Sequence, residues 1–258
     1  MARLWLMAAL LLLSASAGSS VENPVNCEVD PKELAKLIKG LMDNYKVDGM
    51  LSLAVSIPNE DPYNLDQVIN EKNPNDVKEM LLNGEVYKGQ RLVAAIVEPE
   101  KQGEKREHAE YRVLNKLKLQ SQPGDLLIIY SYASPCPRRC TNLSNHYNII
   151  TKINSVVNSQ TWGETVFVFE KVFKPKNATV EEHELIQALN NLGKSKIPLK
   201  NIFRCDKIEG SFKCTSCSNP DTTGKSVTPF CYTNKPGKDN KSLGGSTNVD
   251  DDGWKTEK

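Results

Sequence analysis

His108-Ala109-Glu110 and, after 24 intervening residues, Pro135-Cys136-Pro137-Arg138-Arg139-Cys140 are the stretches that decide how this chain is read. A neutral imidazole and two thiolates suit a four-coordinate zinc ion that keeps one position open for water. Glu110, two residues from the imidazole, can then move protons at that position without being a ligand. Cys136 and Cys140 are four apart, which places both sulfurs on one face of a helix. The pattern points to His108, Cys136 and Cys140 as ligands of Zn2+ and to Glu110 as the proton carrier. The competing reading joins Cys136 to Cys140 in a disulfide and leaves His108 an ordinary surface residue.

Working outward, each half of the pattern is predicted to open a helix, with an apolar strand over residues 126–133 between them. Helix N-termini would direct partial positive charge at the site and favour thiolate and hydroxide. The first of these helices buries Ala109, Val113, Leu114 and Leu117. The second runs from Pro137 and carries Leu143, Tyr147, Ile150 and Val157. Upstream, Asp30 caps and Pro31 opens a helix with apolar residues from Leu34 to Tyr45 at helical spacing. Strands follow over 50–57 and 91–97, separated by a Pro- and Asn-rich insertion with a short helix over 76–82. Downstream, a strand over 165–173 precedes Thr179-Val180-Glu181-Glu182, a capping box for a helix that stops at Gly193. The last strand covers 202–205. A helix between those last two strands permits a right-handed crossover and hence parallel pairing.

The motif residues resemble the AID/APOBEC-like branch of the cytidine deaminase superfamily, and within it the secreted novel AID/APOBEC-like deaminases of vertebrates. In element order the resemblance extends from about Asp30 to Cys205. It implies a three-layer α/β/α fold with a five-stranded mixed sheet whose last two strands are parallel, followed by a cysteine-containing C-terminal tail. It also implies zinc-dependent hydrolysis of cytosine to uracil, with Glu110 as general acid and base. Three departures stand out. Three residues separate the cysteines where the family usually has two. Ala133 replaces the Trp of the usual S-W-S-P-C, here Tyr132-Ala133-Ser134-Pro135-Cys136, and no Asn lies between Arg91 and His108. Ser134 resembles the family's pocket Ser, with a helix cap as the alternative. Tyr130 or Tyr132 can supply the missing stacking surface, although alternation in a buried strand turns such residues to the core. Arg138 and Arg139 are candidate phosphate contacts or a solvated helix face.

Arg3, the apolar run Leu4 to Leu13 and Ala15-Ser16-Ala17 have the order of a secretory signal peptide, which makes the expected protein extracellular. No apolar run is long enough for a transmembrane helix. The expected organisation is a signal over 1–17, a deaminase domain over 18–205, a cysteine-rich extension over 206–232 and a disordered tail over 233–258. Sequons occur at Asn142, Asn177 and Asn240; Asn142 lies in the predicted helix from Pro137, which favours Asn177 as the modified site. If Cys136 and Cys140 hold zinc, then Cys27, Cys205, Cys214, Cys217 and Cys231 remain, enough for two disulfides and one thiol. Connectivity stays open.

The chain carries 33 basic and 32 acidic residues, and loss of Arg3 with the signal leaves a net charge of zero. Global charge thus implies no affinity for a long polyanion. The mixed charges around Lys101, Lys105 and Arg106 read as an ordinary loop, and His146 and His183 as surface residues. Gly224-Lys225-Ser226 ends like a phosphate-binding loop, but Asn219 stands where the first Gly belongs, which excludes that reading. The expected substrate is cytosine in single-stranded DNA or RNA, by the resemblance. A cytidine-type nucleoside is the runner-up, favoured by the neutral charge, and an inactive extracellular binding protein is third.

Overall fold

The computed structural model describes residues 29–99, 106–175, 178–219 and 226–234. Within them the chain builds one mixed sheet in the order β2-β3-β1-β4-β5-β6-β7. The strands are β1 Leu51–Ile57, β2 Tyr87–Lys88, β3 Leu92–Ile96, β4 Leu126–Ala133, β5 Glu164–Lys171, β6 Ile202–Ile208 and β7 Ser211–Ser216. Seven strands replace the expected five. The two additions lie at the edges, where sequence periodicity is weakest. β2 has two residues. β7 is the return arm of a hairpin whose turn, Glu209-Gly210, has positive φ at both residues, the backbone that matches strand twist in a two-residue turn. The strands at 164–171 and 202–208 are parallel, with Phe167 beside Ile202, but they are not the last two. β7 follows and runs antiparallel to β6.

Alternation along β4 sorts the core into two layers. Leu127 and Ile129 face a cluster that includes Val113, Ile153, Phe169 and Leu189, so α4 Ala109–Leu114, α5 Ile150–Asn158 and α6 Glu182–Gly193 cover that side. Leu126, Ile128 and Tyr130 face the cluster of Leu34, Leu37, Ile38, Val77 and Leu81, contributed by α1 Pro31–Tyr45 and α3 Pro74–Leu82. A short α2, Asp66–Ile69, lies between these two helices in sequence. α1 is capped by Asp30, whose carboxylate accepts from Lys32 N–H, and α3 by Asn73. With both faces covered, every residue of β4 is buried.

Two expected helix starts shift. The capping box of α6 is Glu181 with Glu184, two residues beyond the Thr179 start read from the sequence. The larger correction falls after Cys136. No helix starts at Pro137; residues 137–148 form turns, and α5 begins only at Ile150. The reason lies in three asparagines. Asn142, Asn145 and Asn148 accept from the backbone N–H of Ser144, Tyr147 and Thr151. Such local side-chain bonds compete with a helical ladder. Leu143, expected on a buried helix face, is 64% exposed. Asn142 is exposed and lies outside any helix, not within one as the sequence suggested.

Cys205 and Cys214 face each other across β6 and β7 and form a disulfide. Cys217 joins Cys231, while Cys27, Asn177, Asn240 and the expected signal lie outside the described residues. Arg204, on β6, holds the last described segment by donating to the carbonyls of Phe230 and Thr233.

Candidate metal centre

The site forms where β4 ends and α4 begins. His108 is the N-cap of α4, where its side chain makes no capping hydrogen bond, and Glu110 occupies the first turn. Beyond Ala133 the chain turns through Ser134 and Pro135 and brings Cys136 under the imidazole. A tight turn closed by Thr141 N–H on the Cys136 carbonyl then carries Cys140 back. That turn does what a helix was expected to do: both sulfurs point the same way. His108 Nδ1 is 3.2 Å from Cys140 Sγ and 3.8 Å from Cys136 Sγ, and the sulfurs are 3.3 Å apart. Zinc–ligand bonds of about 2.0–2.3 Å in a tetrahedron separate the ligand atoms by roughly 3.5–3.8 Å. The donor triangle is therefore close to the size zinc needs.

The chemistry of the donors agrees with the spacing. Cys136 and Cys140 are free thiols, not a disulfide, and all three residues are buried. A hydrogen bond from Cys140, and the neighbouring His108, hold the Cys136 thiol well below its ordinary value despite burial. Cys140, which shares its proton with Cys136, is pushed up. Close packing of ionisable sulfurs around an imidazole in an apolar setting is costly unless a cation compensates. These residues therefore fit zinc as the cofactor.

Glu110 is 4% exposed, and burial pushes its carboxyl upward. One carboxylate oxygen lies 2.8 Å from Ser131 Oγ on β4. His108, Glu110 and Cys136 line one pocket together with Met50, Val97, Ala109, Ser134 and Phe173. Ser134 caps no helix. Its N–H donates to the Lys171 carbonyl, and its hydroxyl accepts from Phe173 N–H at 2.9 Å. The pocket Ser thereby pins Phe173 to the wall.

Other expected contacts are placed differently. Tyr130 is buried with its hydroxyl 3.3 Å from Glu170. Tyr132 shares a small buried cluster with Met50, Val97 and Ala133, outside the pocket lining. Arg138 is exposed and lies 3.8 Å from Glu184. Arg139 sits beside the donor cluster, 3.3 Å from His108 Nε2, and stacks over Tyr147 at 4.9 Å. His146 and His183 are exposed. Met50, Val97, Phe173 and Ser131 were not foreseen as site residues. Ser131 carried a signal, a hydroxyl inside an apolar strand; Phe173 is recognisable only once β4 and β5 are adjacent.

No helix among the described residues is long and apolar enough to cross a membrane, and the two disulfides suit an oxidising compartment. Neither a curated protein nor a solved structure matches the chain. A family model does, over residues 31–235, which take in the donor cluster, Glu110, the whole sheet and both disulfides. By that match the chain belongs to the family Secreted Novel AID/APOBEC-like Deaminase 1.

Proposed function

We propose that the protein is a secreted, zinc-dependent hydrolase that converts cytosine to uracil at C4, with single-stranded DNA or RNA as the substrate. The observation that carries this reading is the sharing of one pocket by the His108 and Cys136 donors and a buried Glu110 that is not part of the donor triangle. A purely structural zinc site has no use for that acid. Bound by His108, Cys136 and Cys140, zinc would bring the pKa of a water toward neutrality. Glu110 takes one proton from the attacking water and gives it to the ring nitrogen, then carries the second water proton, released as the C4 hydroxyl becomes a carbonyl, to the departing amine. The C4–O bond forms, the C4–N bond breaks and ammonia leaves. Phe173 lines the pocket and offers the base a flat apolar face. Its pairing with Ser134 keeps that face in position.

A nucleoside substrate is the second reading, and one observation favours it. Both arginines expected to hold a phosphate have partners within the protein. Arg138 has Glu184 and the Thr179 carbonyl, and Arg139 has the Arg106 carbonyl and the Tyr147 ring. Turnover of oligo-dC, oligo-rC and free cytidine, followed by mass spectrometry of the uracil products, separates the two. The strand reading expects oligonucleotides to be turned over well ahead of cytidine, with rates that fall as salt rises. Turnover of cytidine alone would replace it with the nucleoside reading, and no uracil from any of them would overturn both.

A further inference from the structure

β4 reads Leu-Leu-Ile-Ile-Tyr-Ser-Tyr-Ala, and Ser131 is the one aliphatic hydroxyl in it. The residue is 1% exposed. It lies between Ser52 of β1 and Phe169 of β5, on the same face as Leu127 and Ile129. That face looks at α4, and an apolar residue would pack there as its neighbours do. A buried hydroxyl costs free energy unless it is hydrogen-bonded. This one is bonded, at 2.8 Å, to Glu110 Oε1. Among the described residues, Ser131 is the one side chain that hydrogen-bonds Glu110.

The partner's chemistry matches the work asked of Glu110. A hydroxyl is both donor and acceptor. Ser131 donates to the carboxylate and, by rotating about its C–O bond, accepts from the carboxylic acid. An amide or ammonium donor would favour one protonation state and oppose the other. A hydroxyl holds the same oxygen in place through both halves of a proton transfer. The support is also rigid. Ser131 is in the middle of the sheet, paired on both sides, whereas Glu110 is on a helix of only six residues.

We infer that Ser131 is a positioning residue that fixes the Glu110 carboxyl in the pocket; the inference rests on the deaminase reading above. Its removal leaves the zinc ligands and the pocket walls in place and frees one rotamer of Glu110. Small misplacement of a reacting group costs about 10- to 100-fold in rate.

The test compares wild type with Ser131→Ala on whichever cytosine substrate the wild type turns over, and measures kcat, KM, zinc content and Tm. The expected result is a kcat lower by about 10- to 100-fold. KM, zinc content and thermal midpoint should stay near the wild-type values, and Ser131→Thr, which keeps the hydroxyl, should recover part of the loss. A kcat unchanged in Ser131→Ala overturns the inference and leaves the deaminase reading intact. Zinc and kcat falling together assign the serine a structural role and overturn it as well. A zinc-loaded wild type without turnover overturns the deaminase reading, and this inference with it.

Discussion

Glu110→Gln is expected to abolish the proposed turnover while leaving the fold and the zinc content as in wild type. The amide keeps the size and shape of the carboxyl, so the buried pocket needs no repacking, and its side chain can still bond Ser131 Oγ. What it loses is the ability to accept and release a proton, which the reaction requires more than once. General acid–base catalysis contributes about 10²- to 10⁴-fold, or about 3–5 kcal/mol of barrier, and a residue that handles each proton sits at the upper end. Steady-state turnover beside a metal assay and a melting curve makes the check. Activity within tenfold of wild type in this variant would mean that another group moves the protons.

Asp125→Ala is expected to cost a large part of the fold's stability without touching the metal centre. Asp125 closes the turn that leads into β4 and is 2% exposed. Its carboxylate accepts from Arg91 at 3.0 Å, from the Ser56 hydroxyl and from the N–H groups of Asn59 and Gln122. Burial alone would raise its pKa, but these donors outweigh burial and hold it below the ordinary aspartate value. Arg91 is itself 8% exposed, so truncation strands a buried guanidinium. Breaking a buried pair this way costs about 3–5 kcal/mol. The sign of the pH dependence follows from a depressed folded-state value. The contribution is present above the unfolded aspartate pKa of about 3.9 and disappears as pH falls through the lower folded value. Urea unfolding at neutral pH measures the loss. Acid titration should show wild type losing stability below about pH 4 more steeply than the variant does. A loss under 1 kcal/mol at neutral pH would show that solvent reaches Arg91 and compensates.

The parts legible in the sequence were those set by periodicity and by donor chemistry. β4 and β5 are apolar runs covered on both faces, and α1 has a cap, a Pro and regular spacing, so their identity hardly depends on distant partners. α6 between β5 and β6 permitted their parallel pairing, and the family resemblance implied it. The turn after Cys136 was missed because an i,i+4 spacing fits a helix and a tight turn equally well, and three asparagines decided between them. β7 was missed because its residues are polar by composition; the Glu209-Gly210 turn and the facing cysteines carried the signal instead. The donor set needed no structure to be suspected. The pocket walls did, since Met50, Val97 and Phe173 come from segments far apart in the chain.

Metal analysis of the purified full-length protein tests the assignment of the zinc ligands. The account predicts one zinc per chain in wild type and in Glu110→Gln. Zinc should be lost from His108→Ala, Cys136→Ala and Cys140→Ala, because each removes a vertex of the donor triangle. Removing zinc with a chelator should also lower the thermal midpoint, since a metal that binds only the folded chain stabilises it. Stoichiometric zinc that survives all three alanine substitutions would contradict the account, and so would a Cys136–Cys140 disulfide in peptides mapped without reduction.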